Sequence, residues 1–236
     1  MTSKTIDNWQ EFREGALDIA PVVLACIPIG LLFGTLAAAK GISVLEAGLM
    51  SALVFAGASQ FVAVDMWREP APWAMLTLTV LIVNVRHILM GASLARHLRL
   101  FAPATRPLAL FVMADEVWAF AERRALRQPL TPAYYWGMGA CLYAQWTLGT
   151  VLGASLGRTL GNPADYGLDF AFAAMFICIA MGFWRGPRTA AVLATSAIVA
   201  ALTSTLVPGA WYIAIGGLAG VAVAAFLGEE PEKAPA

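Results

Sequence analysis

The run from residue 19 to residue 39 contains no charged side chain, and as a helix rising 1.5 Å per residue it can cross the ~30 Å hydrocarbon core of a bilayer. Seven further apolar runs follow it. A chain of this kind has few solutions open to it, because every backbone N–H and C=O in hydrocarbon must find a partner within the protein, and only helices and closed barrels provide that. Runs near twenty residues in length, without two-residue alternation, select helices. The composition agrees: 60% of residues are hydrophobic and 13% charged, against about 25% charged in soluble domains. The fold class is therefore an all-α, polytopic transmembrane bundle. With 15 basic and 15 acidic residues the formal net charge is zero, so a nucleic-acid partner, which needs a clustered basic surface, is set aside.

Taken in order, the runs give about eight spans: residues 19–39, 44–64, 72–94, 107–121, 133–156, 170–183, 189–207 and 211–227. The sixth is short and is followed by W-R-G-P, which leaves seven spans or a re-entrant segment as the alternative. Before the first run, Ile6, Trp9, Phe12, Ala16 and Ile19 recur at helical spacing with Asp7, Glu11, Arg13 and Glu14 between them. Residues 1–18 thus read as an amphipathic interfacial segment, 19–227 as the transmembrane domain and 228–236 as a polar tail. The acidic start lacks the basic region of a cleaved signal peptide, so the first helix is expected to remain. Cys26, Cys141 and Cys178 lie in apolar runs without metal or redox spacing and read as small buried hydrophobes.

Lys and Arg collect on the cytoplasmic side of membrane proteins. With eight spans, Lys4, Arg13, Arg68, Arg123, Arg124, Arg127, Arg185, Arg188 and Lys233 fall on the amino-terminal side, and Lys40, Arg96, Arg99, Arg106 and Arg158 on the other. Both termini are expected in the cytoplasm. An internal echo pairs G-A-L-D and C-I-P-I-G near residues 15–30 with G-L-D and C-I-A-M-G near residues 167–182, as an inverted-topology repeat would.

Polar groups at membrane depth are costly and demand a reason. Here they are Gln60, Asn84, Arg86, His87, Asp115, Glu116 and Gln145, with Asp18 and Asp169 nearer span ends. Two readings stand side by side for Arg86 and His87: they sit within the membrane, or the third helix ends near residue 85 and they snorkel to the headgroups. Opposite charges on neighbouring helices invite pairing, as a structural ion pair or as one that opens to take a zwitterion. His87 makes proton coupling chemically available. Ser59 and the aromatic residues Phe55 and Trp118 lie beside these positions, and an apolar pocket formed by Phe55, Phe61, Met90, Phe111 or Trp118 is expected near them. No H-E-x-x-H, G-x-S-x-G or Walker sequence is present, so hydrolysis is disfavoured, and nothing resembles a repeated channel filter. No cofactor is expected.

Three motifs in this order, F-A-G-A-S-Q-F at 55–61, N-V-R-H-I-L-M-G at 84–91 and A-D-E-V-W-A at 114–119, resemble the AzlC family, the large subunit of branched-chain amino acid exporters. The resemblance runs from about Glu14 to Leu227 and weakens in the last two spans. It implies a secondary transporter of the inner membrane, driven by protons, that exports branched-chain amino acids and works with a small AzlD-type membrane subunit. Its motif positions Gln60, Asn84, Arg86, His87, Asp115 and Glu116 coincide with those singled out by the cost of burial, with Ser59, Phe55, Trp118 and Gln145 as secondary positions. The alternative is a non-transporting membrane scaffold whose charges form structural pairs.

Overall fold

A computed structural model of the chain describes residues 7–68, 70–160, 186–207 and 211–228, with the single positions 170, 177, 181 and 184. The described residues are helical, with no strand among them. Two long helices form the frame. The first, α1 (Asn8–Ala39), opens on Asp7, whose carboxylate accepts from the Trp9 backbone N–H at 2.9 Å, and carries Pro21 and Pro28 without ending. Beside it lies a helix of 29 residues, Pro132–Leu160, numbered α7 below.

These two run parallel, which the glycines dictate. A Cβ at Gly15 would strike the Tyr134 carbonyl, one at Gly34 the Thr150 carbonyl, and one at Gly157 the Thr35 backbone. Contacts therefore climb both helices together. Gly30 faces Gly149, Gly34 faces Gly153, and Gly157 faces Thr35 and Ala38, a small-xxx-small seam that lets backbones approach where a side chain would hold them apart. Across it Thr35 Oγ1 donates to the Gly153 carbonyl at 3.2 Å.

The segment expected to be the second span is two half-length helices, α2 (Val44–Leu53) and α3 (Gly57–Asp65). At about 15 and 14 Å neither can cross hydrocarbon. A capping box between Ser43 and Glu46 starts α2. The chain then descends along α7, with Ser51 Oγ 2.8 Å from Thr150 Oγ1 and Tyr143 Oη donating to the Ala52 carbonyl at 2.8 Å. After the break α3 turns back, and at its end the Asp65 carbonyl accepts from Lys40 Nζ at 2.9 Å, beside the end of α1. The pair enters and leaves at the same end of the bundle.

Helix α4 (Trp73–Leu98) then crosses to the amino-terminal end, where the Phe101 ring meets Tyr135 at 5.4 Å between centroids. There a second hairpin begins, α5 (Arg106–Phe111) and α6 (Asp115–Ala125). Tyr135 Oη donates to the Ala109 carbonyl at 2.8 Å on the way in, and Arg124 ends α6 against Glu11 and Glu14 of α1 on the way out. The expected fourth span is thus also a re-entrant pair, inserted from the opposite end. Each first half-helix finds a tyrosine hydroxyl of α7 for a carbonyl near its end, which offsets the cost of stopping a helix inside the membrane. The units α1 with α2–α3 and α4 with α5–α6 consequently run in opposite senses.

Helices α8 (Pro187–Leu206) and α9 (Trp211–Leu227) form an antiparallel pair in which Ser196 Oγ donates to the Gly216 carbonyl at 2.7 Å. By length and composition α1, α4 and α8 can each cross a membrane. Apart from the single positions 170, 177 and 181, the expected sixth span and the 167–182 half of the sequence echo lie outside the described residues, as do Asp169, Cys178 and the tail beyond residue 228.

Replacing two spans by hairpins reverses α4 and redistributes the basic residues. Arg96, Arg99 and Arg106 move to the amino-terminal end, beside Arg13, Arg123, Arg124 and Arg127, while Arg68 joins Lys40 at the other. The charge asymmetry is sharper than eight consecutive spans would give.

Candidate functional site

The hairpin tips meet near the middle of α7. Tyr143 is the meeting point: its ring lies 5.3 Å from that of Phe55 at the first tip and 6.0 Å from that of Phe111 at the second. Beside it is a cavity of about 120 Å³, comparable to the ~150 Å³ that holds a benzene ring in other proteins. Its walls come from five elements. The first tip contributes Phe55, Ala56, Gly57 and Ala58; the second contributes Ala114, Asp115 and Glu116; α4 contributes Arg86 and His87. Cys26 and Ile29 of α1, with Leu142 and Trp146 of α7, make the apolar part of the wall.

Arg86 Nη1 lies 2.9 Å from Asp115 Oδ2, with the two side chains 38% and 42% exposed. This pair joins α4 to the first residue of α6. The Arg86 Nε and His87 Nδ1 atoms are buried without hydrogen-bond partners among the described residues. Glu116, one residue further along the same tip, makes no ion pair among them. The site therefore holds one closed ion pair, one acidic side chain with no ion pair among the described residues and an Arg86 Nε–H with unused capacity.

Backbone dipoles add to this. Helix α6 carries Asp115 and Glu116 in its first turn, which balance its positive end. Helix α3 has no acidic residue in its first turn and no side-chain cap at Ala56. Its amino end faces the cavity through Gly57, where a Cβ would come within 3.1 Å of the Trp146 ring. The cavity so presents partial positive charge at one tip, negative charge at the other and apolar residues from α1 and α7. That combination suits a small zwitterion with an apolar side chain.

Of the residues singled out from the sequence, Phe55, Arg86, His87, Asp115 and Glu116 line the cavity. Gln60 does not. Its side chain is buried in a network in which Trp146 Nε1 donates to Gln60 Oε1 at 2.8 Å and Gln60 Nε2 donates to Ser51 Oγ at 3.0 Å. Ser59 bonds back to the Ala56 carbonyl at 2.9 Å, and Trp118 Nε1 donates to Ser93 Oγ at 2.7 Å, tying α6 to α4. Asn84 Oδ1 is buried without a partner among the described residues, outside the cavity. The Gln145 amide is wedged between Gly30 and Gly149 in the α1–α7 seam, likewise unpartnered among them. Of the aromatic and apolar set, Phe61 packs on Phe33 and Trp146, Phe111 on Tyr143, and Met90 is in the core. Cys26, Ile29, Leu142 and Trp146 are cavity residues that the sequence does not single out, since an apolar residue in an apolar run gives no signal of what it faces.

Opposed half-length hairpins that converge on one cavity, set among helices long and apolar enough to cross a bilayer, define an all-helical integral membrane protein. Residues 21–160 match the family model described as "AzlC protein", and the chain belongs to the AzlC family. It is 34% identical over 197 residues to the "Inner membrane protein YgaZ" of Escherichia coli (strain K12), covering 81% of this chain and 80% of that protein. An "Uncharacterized membrane protein" of Archaeoglobus fulgidus is 31% identical, covering 80% and 84%. The "Branched-chain amino acid transport protein AzlC" of Bacillus subtilis (strain 168) is 26% identical, covering 77% and 71%. No solved structure matches the chain significantly.

Proposed function

We propose that this protein is the large subunit of a secondary transporter that exports branched-chain amino acids across the cytoplasmic (inner) membrane, coupled to protons and assisted by a small AzlD-type membrane subunit. One observation carries the reading. Two hairpins from opposite ends and helix α4 bring the amino end of α3, Asp115 with Glu116, and Arg86 with His87 to a single cavity that Cys26, Ile29, Leu142 and Trp146 also line. The substrate carboxylate is met by the Arg86 guanidinium and the amino end of α3, its ammonium by Asp115 or Glu116, and its branched side chain by the apolar wall. Substrate entry replaces the Arg86–Asp115 pair, so neither charge is left alone in a medium that penalises it. His87 and Glu116 are the groups through which a proton would couple.

The name of the Bacillus subtilis relative supports the substrate class, that of the Escherichia coli relative supports the inner membrane, and the family resemblance supplies direction, coupling and partner. The basic residues gathered at the amino-terminal end support a cytoplasmic amino terminus, and with it we take both termini to be cytoplasmic.

The test is efflux of labelled valine, leucine and isoleucine from cells preloaded with dipeptides, with this chain expressed alone and with the small subunit. Efflux above vector that collapses with a protonophore is the expected result. Its absence in both formats, from protein shown to be folded, would reduce the cavity charges to structural pairing.

A further inference from the structure

Arg124 is a buried cation held by two acids. Its side chain is 6% exposed, Nη2 donates to both carboxylate oxygens of Glu11 at 3.0 Å, and Nη1 donates to Glu14. The guanidinium lies 4.2 Å from the centroid of the Tyr134 ring, whose hydroxyl donates to Asp18 at 2.6 Å. Thr131 Oγ1 adds a bond to Glu11 at 2.6 Å, and Gln128 lies against the guanidinium. Such an assembly exceeds what is needed to finish one short helix. Its position explains it: Arg124 is in the last turn of α6, and the first residues of that helix, Asp115 and Glu116, are cavity wall.

The two hairpins are held in different ways. The α2–α3 hairpin is joined to α7 by neutral buried groups, the Trp146–Gln60–Ser51–Thr150 network and the Tyr143 hydroxyl on Ala52. Pulling these apart would strand polar atoms in hydrocarbon. Helix α6 is bonded to α4 by Arg86–Asp115, Trp118–Ser93 and Arg96–Glu122. Among the described residues, every polar tie from α6 to the α1–α7 frame runs through Arg124. That tie is ionic and sits at the end of the bundle, where Glu14 is already 48% exposed. Water can take over each of its partners when it opens. Both arms of the first hairpin are therefore fixed to the frame by neutral buried bonds, whereas in the second only α5 is, through Tyr135 Oη on the Ala109 carbonyl, and the polar hold on α6 is a single releasable lock.

We propose that Arg124, Glu11 and Glu14 form the latch of a gate at the amino-terminal end, so that release of Arg124 lets α6 swing from the frame and opens the cavity to that side. Arg124 is a positioning residue for Asp115 and Glu116, acting through the helix that carries all three. The proposal rests on the transport reading of the cavity, but its test needs no substrate, so the two can fail separately.

The test uses Cys26, which lines the cavity, as the reporter in full-length protein carrying Cys141→Ala and Cys178→Ala. Its labelling by a membrane-impermeant maleimide is followed in vesicles of each orientation. Glu14→Gln and Glu11→Gln should each speed labelling from the amino-terminal face about fivefold while leaving the opposite face unchanged, as expected when one arm of an ionic lock is lost. Arg124→Lys, which keeps the charge but not the two-pronged geometry, should fall between these and the parent. Lys40→Ala, at the other end, should not raise amino-terminal labelling. No change in either glutamine variant, or an equal rise from both faces, overturns the latch. The mild Glu14→Gln variant, checked for an intact thermal transition, keeps this outcome readable if Glu11→Gln fails to fold.

Discussion

Gln60 Nε2 donates to Ser51 Oγ at 3.0 Å although the residues are nine positions apart, a separation that a continuous helix would stretch to about 13 Å. The bond exists because the chain folds back between them at Val54, Phe55 and Ala56. This distinguishes the topology from a series of simple crossings, and a labelling experiment can read it. Single cysteines at Arg68, Arg99 and Arg127 should react with an impermeant reagent as follows: the last two from the amino-terminal face, Arg68→Cys from the other. Simple crossings would exchange the first two.

The same amide fixes the first hairpin to the frame. Gln60→Ala would leave Trp146 Nε1 buried without an acceptor and remove a partner of Ser51, at a cost of about 2–3 kcal/mol for the stranded groups. The expected outcome is a clear fall in thermal stability in detergent, with any loss of transport following that fall. A variant that melted normally but no longer transported would instead assign Gln60 to the substrate.

Tyr135 and Tyr143 supply the hydroxyls that meet Ala109 and Ala52. Tyr135→Phe and Tyr143→Phe should each cost about 1–2 kcal/mol, because a buried carbonyl is left unsatisfied. Tyr143→Phe keeps both ring contacts, so substrate affinity should survive in the folded fraction. Thermal melts paired with binding measurements would separate the two effects.

At the Arg86–Asp115 pair the direction of effect differs between roles. Both side chains are partly exposed to the cavity, so Asp115→Asn should lower stability by no more than about 1–2 kcal/mol. Transport should nonetheless fall at least about tenfold if the pair meets substrate charges, an effect of ~1.4 kcal/mol on a binding or barrier step. Reaching the membrane intact but inactive is the expected phenotype; full activity would make the pair structural.

The glycine seam gives a steric contrast. Gly34→Ala would push a methyl group into the Thr150 carbonyl, whereas a methyl group added at Gly217 would meet nothing within 4 Å. Overpacking predicts a loss of about 1–3 kcal/mol or failure to assemble for the first, and a change within about 0.5 kcal/mol for Gly217→Ala. Yield and melting temperature after detergent extraction would decide it.

Much of this was legible in the amino-acid order and some of it was not, for identifiable reasons. Cost of burial correctly marks Arg86, Asp115 and Gln60 as needing partners, and the structure supplies one to each. It does not say whether that partner is a side chain of the protein or a ligand. The hairpins escape detection because two half-helices with a tight turn have the same length and hydropathy as one span; what distinguishes them is a pair of tyrosine hydroxyls far along the chain. Glu11 and Glu14 read as water-facing residues of an amphipathic segment because the cation they hold is 113 and 110 residues away. The seam was hidden in plain view: Gly30 and Gly34 look like helix interruptions until the glycines of α7 are set against them.

The parallel pairing of α1 with α7 carries a consequence for how the molecule is made. Thr35 and the Gly153 carbonyl it bonds are 118 residues apart, so during synthesis the first helix waits in the bilayer, its glycine groove filled by lipid, until the seventh arrives. The first hairpin waits with it, since the hydroxyls and indole that seat it also belong to α7. A chain released before that helix is made should therefore be prey for membrane proteases rather than a stable fragment, and commitment to the native fold comes only after more than half of it has left the ribosome.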